Sequence, residues 1–251
     1  MVFPIEKYKK ILQEFHQKNH HLWRKRSQKY LEGILQIELA DVILTDVSDW
    51  GVKVPIKGFE TQVINAWFDV LPAHINNCNR DEIWNKELDS EKEIIQFFGF
   101  DNLYCYLVLY PALLHALGIN EIPRYFFSNE FYLINEDKFS TSRGNAIWGN
   151  DFINKYGSDF VRYYLSLTSP EVTKTNFNFE ELDMEYKNLE NIIDGIKNIH
   201  PQLNESTRLF IHNYQTLFNN ACELENFSIK SIALLLKDYI SQLKSKELFT
   251  N

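Results

Sequence analysis

The chain has 251 residues, 45% apolar and 15% aromatic, which supplies a core for one large domain or two small ones and excludes wholesale disorder. Its net charge of −8 excludes a broad positive surface for coating nucleic acid. Three cysteines (Cys78, Cys105 and Cys222), none in a CxxC pair, suggest neither a zinc knuckle nor a disulfide framework and fit a reducing, cytoplasmic setting.

In chain order, Ile5, Tyr8, Ile11, Leu12 and Phe15 follow a helical period after Pro4. A second helix is expected over about Ser27 to Leu35. Lys9, Lys10, Lys18, Arg24, Lys25, Arg26 and Lys29 gather here, and read as a solvated helix face before they read as an RNA groove. "IELADVILTDVSDWGVKVP" alternates and is rich in branched residues, with a turn at Ser48–Gly51. "TQVINAWFDV" (Thr61–Val70) reads as a buried strand. Ile94–Phe98 reads as another, followed by a Gly turn, Asp101 as helix cap, and a helix ending near Gly118. That helix, "YCYLVLYPALLHALG", is short and contains Pro111, so it reads as a core helix and not a membrane span. The N-terminus has no signal-peptide core, and no membrane partner is expected.

"RYFFSNEFYLI" gives one or two further strands. Short helices follow, the first capped by Asn150 and stopped by Gly157, the second capped by Ser158. From Phe179 the pattern changes to three amphipathic helices, Glu180–Ile199, Ser206–Leu224 and Ile229–Leu243. A boundary is expected near Asn178, separating residues 1–178 from a helical bundle over 179–251. Alternating strand and helix in the first part predicts an α/β fold with a parallel sheet and crossover helices. Ligands in such folds bind beyond the carboxyl ends of strands. Asp69 and Asp101 stand at two such ends, where a ligand contact and an ordinary helix cap are both open readings.

"KFSTSRGN" (Lys138–Asn145) follows a strand-like run and an Asn-Glu-Asp turn. It holds two Ser, a Thr, a Gly and an Asn, with a cation near each end, Lys138 and Arg143, which makes a loop suited to closing over an anion.

Four blocks in order, "TDVSDWGVKVP", "INAWFDVLPAHI", "FFGFDNLYCYLVLYPALL" and "KFSTSRGNAIWGNDFINKYGSDFVRYYL", resemble methionyl-tRNA synthetase, a class I aminoacyl-tRNA synthetase. The resemblance implies the second half of a Rossmann-type catalytic domain, a connecting segment, and the start of a helical anticodon-binding domain. It implies ATP as co-substrate and tRNA or aminoacyl-tRNA as partner. The loop matches the family's Lys-Met-Ser-Lys-Ser signature, whose lysines stabilise the triphosphate as pyrophosphate leaves. Lys138, Ser140 and Ser142 match; Phe139 replaces Met; Thr141 stands where the second lysine belongs. Losing one such charge-assisted contact typically costs a factor of about 10²–10³ in rate. Arg143 belongs to the family pattern and is not evidently a replacement.

In the amino-acid pocket the resemblance keeps Trp67 and replaces Ala-Pro by Val70-Leu71. A pocket Tyr becomes His74, read either as a pocket hydrogen-bonder or as a satisfied core histidine. An aromatic and a His become Cys105 and Tyr106. Such a joint change reads as a different ligand if it is coordinated and as no ligand if it is uniform decay. Gly99 and Asp101 match the ribose-binding Gly-Lys-Asp, with Phe100 in place of Lys. The family's His-Ile-Gly-His signature, its zinc-binding insertion and its anticodon-reading Trp have no counterpart in these residues, so no zinc is expected. Three readings follow as expectations. One is a specialised or split synthetase completed by a second copy or by a partner carrying the missing half-site. Another is a noncatalytic amino-acid, nucleotide or RNA-complex module. The third is a remnant or fragment of a full synthetase, and Thr141 in the signature loop weighs against it.

Overall fold

The helical spacing of Leu12, Phe15 and Asn19 and of Ser27, Leu31 and Leu35 becomes two amphipathic helices, α1 (Lys9–Asn19) and α2 (Lys25–Gln36). This is a computed structural model that describes residues 1–77, 94–119, 123–197 and 204–245. Cys78 and the end of the helix expected to reach Ile199 lie outside them. The chain forms two compact units, Met1–Ser128 and Asn129–Asn251. Asn178, the expected boundary, lies within the second.

In the first unit α1 and α2 bury Leu12, Phe15, Leu31 and Leu35 in one core with Leu71, Leu107, Tyr110 and Phe126. Trp23 Nε1 donates to the Arg124 carbonyl at 2.7 Å, and Ser27 Oγ meets Ser128 Oγ at 2.8 Å, so α2 is pinned to the strand carrying Ser128. Part of the basic cluster is engaged: Lys9 donates to the Ile37 carbonyl at 2.6 Å, and the Arg26 guanidinium lies 4.0 Å above the Phe100 ring.

The strands of this unit are short. β1 (Val2–Phe3) pairs antiparallel with β2 (Val42–Ile43), and β3 (Thr45–Val47) pairs antiparallel with β4 (Gln62–Ile64). β5 (Ile95–Gly99) pairs with β6 (Tyr125–Asn129).

The run expected as a strand over Thr61–Val70 is only partly one. After Ile64, Asn65 Oδ1 accepts the Trp67 N–H at 3.1 Å, and Ala66–Asn77 forms helix α3, with Pro72 inside it. An Asn that accepts a backbone N–H two residues on starts a helix in spite of the branched residues before it. Asp69 therefore lies in the first turn of α3 and not at a strand end. After β5 the chain makes a 3₁₀ turn (Phe100–Asn102), a π-helical turn (Cys105–Leu109) and helix α4 (Tyr110–Ala116), with Gly118 at φ +74° just beyond it. Asp101 lies inside the 3₁₀ turn, whose cap residue is Gly99.

The second unit opens with β7 (Tyr132–Ile134), which pairs antiparallel with β8 (Asp137–Lys138) and parallel with β9 (Thr175–Phe177). Asn135 and Glu136, at φ 51° and 66°, form the tight turn between β7 and β8. Helix α5 (Gly149–Tyr156) and helix α6 (Ser158–Leu167) meet at Gly157, φ +82° and ψ 150°, which ends one and starts the other. Asn150 and Ser158, expected as caps, instead fall inside the two helices. Phe152, Tyr156, Phe160, Tyr164 and Phe177 form the core of this region.

Helix α7 (Phe179–Ile196) is capped by Asn178, whose Oδ1 accepts the N–H groups of Glu180 and Glu181 at 2.8 and 3.3 Å. Helix α8 (Glu205–Cys222) is capped by Asn204. Helix α9 (Ile229–Ser245) packs against α6, α7 and α8. Glu171 fastens its start, accepting from Ser228 Oγ at 2.6 Å and Lys230 N–H at 3.1 Å. Glu185 fastens its middle, accepting from Tyr163 Oη at 2.8 Å and Lys237 Nζ at 2.7 Å. No helix of the described residues is long and apolar enough to cross a membrane.

Candidate functional site

The expected site residues fall into two sets, one on each unit. In the first unit α3 and the π-helical turn bring Trp67, His74 and Tyr106 together, with Cys105 next to Tyr106 in the turn and near Tyr30. The π turn widens the helix by one residue, and such turns recur at functional sites. It carries both Cys105 and Tyr106. The Tyr106 ring is buried, stacks on Phe98 at 4.3 Å and 10°, and meets the Trp67 ring edge-on at 6.5 Å. Its hydroxyl lies 3.1 Å from His74 Nε2. Which of the two donates depends on the histidine tautomer.

Burial shapes the chemistry of this cluster. It lowers the His74 pKa, so the ring is neutral at pH 7 and acts as a hydrogen-bonder. It pushes the Cys105 thiol up to about 11, far from the thiolate range a nucleophile needs. Burial, and then Cys105, raises Tyr106 as well. Val70 is exposed and Leu71 is fully buried in the core. As neighbours on helix α3 they point different ways.

The Gly99–Asp101 turn has a steric logic. A Cβ on Gly99 would sit 2.7 Å from Asp101 Oδ1, closer than real contacts allow, so glycine lets the carboxylate fold back over the turn. Asp101 is exposed.

In the second unit the Lys138–Asn145 loop is fastened to itself. Asn145 Oδ1 accepts the Ser140 N–H at 2.9 Å, and its amide donates to the Lys138 carbonyl at 3.0 Å. The Ser140 and Ser142 hydroxyls lie 3.0 Å apart, and the Arg143 N–H reaches Ser140 Oγ at 3.4 Å. Gly144, at φ +71°, donates to the Thr141 carbonyl. Phe139 anchors the loop against Tyr132 and Phe177. Thr141, Ser142 and Arg143 remain exposed. Lys138 Nζ rests 3.7 Å above the Phe131 ring. The arrangement offers a cation, hydroxyls and a tight turn to an anion.

Sequence reading missed Phe98, Asn145 and Tyr110, whose ring meets His74 edge-on at 6.0 Å. The alternation of β5 was the available signal for Phe98, and the spacing of the loop's polar groups gave none for Asn145. Among the described residues no group of three or more His, Cys, Asp or Glu is arranged to hold a metal ion.

A family model described as "tRNA synthetases class I (M)" matches residues 1–201. The methionine–tRNA ligase of Phocaeicola vulgatus is 31% identical over 192 residues, covering 74% of this chain and 28% of that protein. Methionine–tRNA ligase 1 of Alkaliphilus oremlandii is 29% identical over 188 residues, covering 72% of this chain and 34% of that protein. Among solved structures, Mycobacterium tuberculosis methionyl-tRNA synthetase in complex with methionyl-adenylate superposes with a TM-score of 0.75 at 17% identity, covering 96% of this chain and 50% of that one. A second structure of that synthetase, bound by methionyl-adenylate, gives 0.74 at 19% identity and covers 98% and 54%. The likeness to the solved structures speaks for the fold. The chain spans 28–34% of the length of these curated relatives.

Proposed function

Since the chain belongs to the class I tRNA synthetases of the methionine type, we propose that it is a synthetase-like protein of ATP-dependent amino-acid activation or aminoacyl transfer, working as a specialised paralogue or as one subunit of a split enzyme. The observation that carries this reading is the His74–Tyr106 pair. The resemblance assigns a Tyr to position 74 and a His to position 106. Both positions differ here, yet a phenol and an imidazole still meet at 3.1 Å with their places exchanged. Unconstrained drift breaks such a pair, because a buried hydroxyl left without its partner costs about 1–3 kcal/mol. A pair that survives by exchange supports a pocket still under use.

In this reading Trp67, His74, Cys105 and Tyr106 receive the amino-acid side chain, and Gly99 and Asp101 receive the ribose. An oxygen of the amino-acid carboxylate bonds to the α-phosphorus of ATP. The bond from that phosphorus to the bridging oxygen breaks, and pyrophosphate leaves with the electron pair. The second unit separately carries Lys138, Ser140, Ser142 and Arg143, which are suited to stabilising the charge on a departing pyrophosphate. We assign the remaining active-site elements to a second copy or a partner subunit. Val47, Trp50, Val52 and Ile56 are about half exposed or more around the β3–β4 ribbon, which supports another protein surface seated there. The acceptor of the activated acyl group would be tRNA, and the setting cytoplasmic.

Thr141 favours a second reading. It puts a neutral hydroxyl where the signature carries a lysine, which suits a noncatalytic amino-acid, nucleotide or RNA-complex module. ATP–pyrophosphate exchange across a panel of amino acids, with and without copurified partners, separates the two. Exchange in any combination supports activation. A ligand-dependent rise in melting temperature with no exchange supports the module. If neither ATP nor any amino acid moves the melt and no exchange is seen, both readings fail.

A further inference from the structure

Two ammonium groups share one aromatic ring beside the signature loop. Lys138 Nζ stands 3.7 Å, and Lys174 Nζ 5.9 Å, from the centroid of Phe131. The two lysines are distant in sequence, and the sheet brings them together. Lys138 ends β8 opposite Leu133, and Lys174 immediately precedes β9, whose Thr175 is in register with Tyr132. Thr175 N–H donates to the Phe131 carbonyl at 3.2 Å, which fixes Lys174 beside that residue.

Among the described residues neither ammonium has a carboxylate within ion-pair distance. An aromatic ring attracts a cation weakly at an exposed site, and two like charges brought to one ring repel. An anion that spans both removes the repulsion and gains two charge-assisted contacts. The loop starting at Lys138 adds the hydroxyls of Ser140, Thr141 and Ser142.

We propose that Lys174 is the second cation of a polyphosphate site centred on Phe131, supplying from the start of β9 the charge that Thr141 does not carry within the loop. The proposal deepens the activation reading and rests on it, since pyrophosphate is the group that leaves in that reaction. Two cations splayed over one ring suit a linked pair of phosphates better than a single phosphate.

The test is calorimetric titration of the full chain with pyrophosphate and, separately, with inorganic phosphate. The wild type binds pyrophosphate more tightly than phosphate, and added salt weakens binding. Lys174→Ala weakens pyrophosphate binding about five- to tenfold, as expected for one partly solvated charge-assisted contact. Lys174→Arg retains binding. Adding Thr141→Lys to Lys174→Ala restores it, because the charge returns through the loop. Lys174 is exposed, so unchanged melting temperatures check that each variant is folded.

The proposal is overturned if wild type and Lys174→Ala bind pyrophosphate alike, if phosphate binds as well as pyrophosphate, or if wild type binds neither. Binding that depends on Lys138 but not Lys174 overturns the proposal and leaves activation standing. Lys174-dependent binding without any exchange activity does the reverse.

Discussion

Replacing Tyr106 by Phe removes one oxygen from the pocket and leaves its packing in place. The Phe98 stack at 4.3 Å and the Trp67 edge contact persist, because both use only the ring. What is lost is the 3.1 Å hydrogen bond to His74 Nε2. A net hydrogen bond contributes about 1 kcal/mol, and a buried partner left without one costs about 1–3 kcal/mol. His74 is only half-buried and can turn toward water, so about 1–1.5 kcal/mol is expected for Tyr106→Phe. His74→Phe strands the hydroxyl of a ring that is 8% exposed, and is expected to cost about 2 kcal/mol. The double variant removes both polar groups and keeps two rings. It should cost less than the sum of the singles by about 1 kcal/mol. Urea unfolding at pH 8, where His74 is neutral in both states, reads these values through the fluorescence of Trp23 and Trp67, which pack in the same unit. Single and double costs that add to within about 0.3 kcal/mol would refute the pairing and remove the observation on which the functional reading rests.

Burial lowers the pKa of both His16 and His74 below the ordinary 6.5, with His20 adding to the shift at His16. As pH falls the unfolded chain takes up protons first, so this part of the stability is full above about pH 6.5 and is lost as pH drops through both values. Melting temperatures from pH 8 to 5 check it, and replacing both histidines by Asn should flatten the profile. Asn145→Ala removes two loop staples and should speed hydrogen exchange at residues 138–145 severalfold with little change in global melting. Glu185→Ala removes the acceptor shared by Tyr163 and Lys237, and should cost the second unit about 2 kcal/mol by urea unfolding followed by circular dichroism. At pH 7.5 iodoacetamide should modify exposed Cys222 well before Cys105, whose thiol burial holds near 11, as peptide mass spectrometry will show.

Much of this architecture is legible in the sequence because it rests on local periodicity. The helices from Phe179 onward follow a 3.6-residue repeat, and Gly157 and Gly118 mark helix ends as their positive φ values require. The α/β class and the family likewise follow from the order of short blocks. Thr61–Val70 was harder. Its branched and aromatic residues suit a strand, and the single Asn65 side chain that turns the chain into α3 outweighs them. The loop was legible from composition, but its closure through Asn145 was not. Two features needed three dimensions. A π-helical turn decides which way Cys105 and Tyr106 face, and it has no periodic signature. Strand register across β7, β8 and β9 sets Lys174 beside Lys138, although thirty-odd residues separate them in the chain.

Gly157 belongs to two helices at once, so there is no slack between α5 and α6. One extra residue at this joint would turn α6 by about 100°. Phe160, Val161 and Tyr164 would swing away from Phe177 together, and the core would lose its aromatic side in one step. Insertions that a longer connector absorbs should therefore be lethal to folding here. The position behaves as a frame marker for the second unit, as sensitive to length as to the identity of its residue.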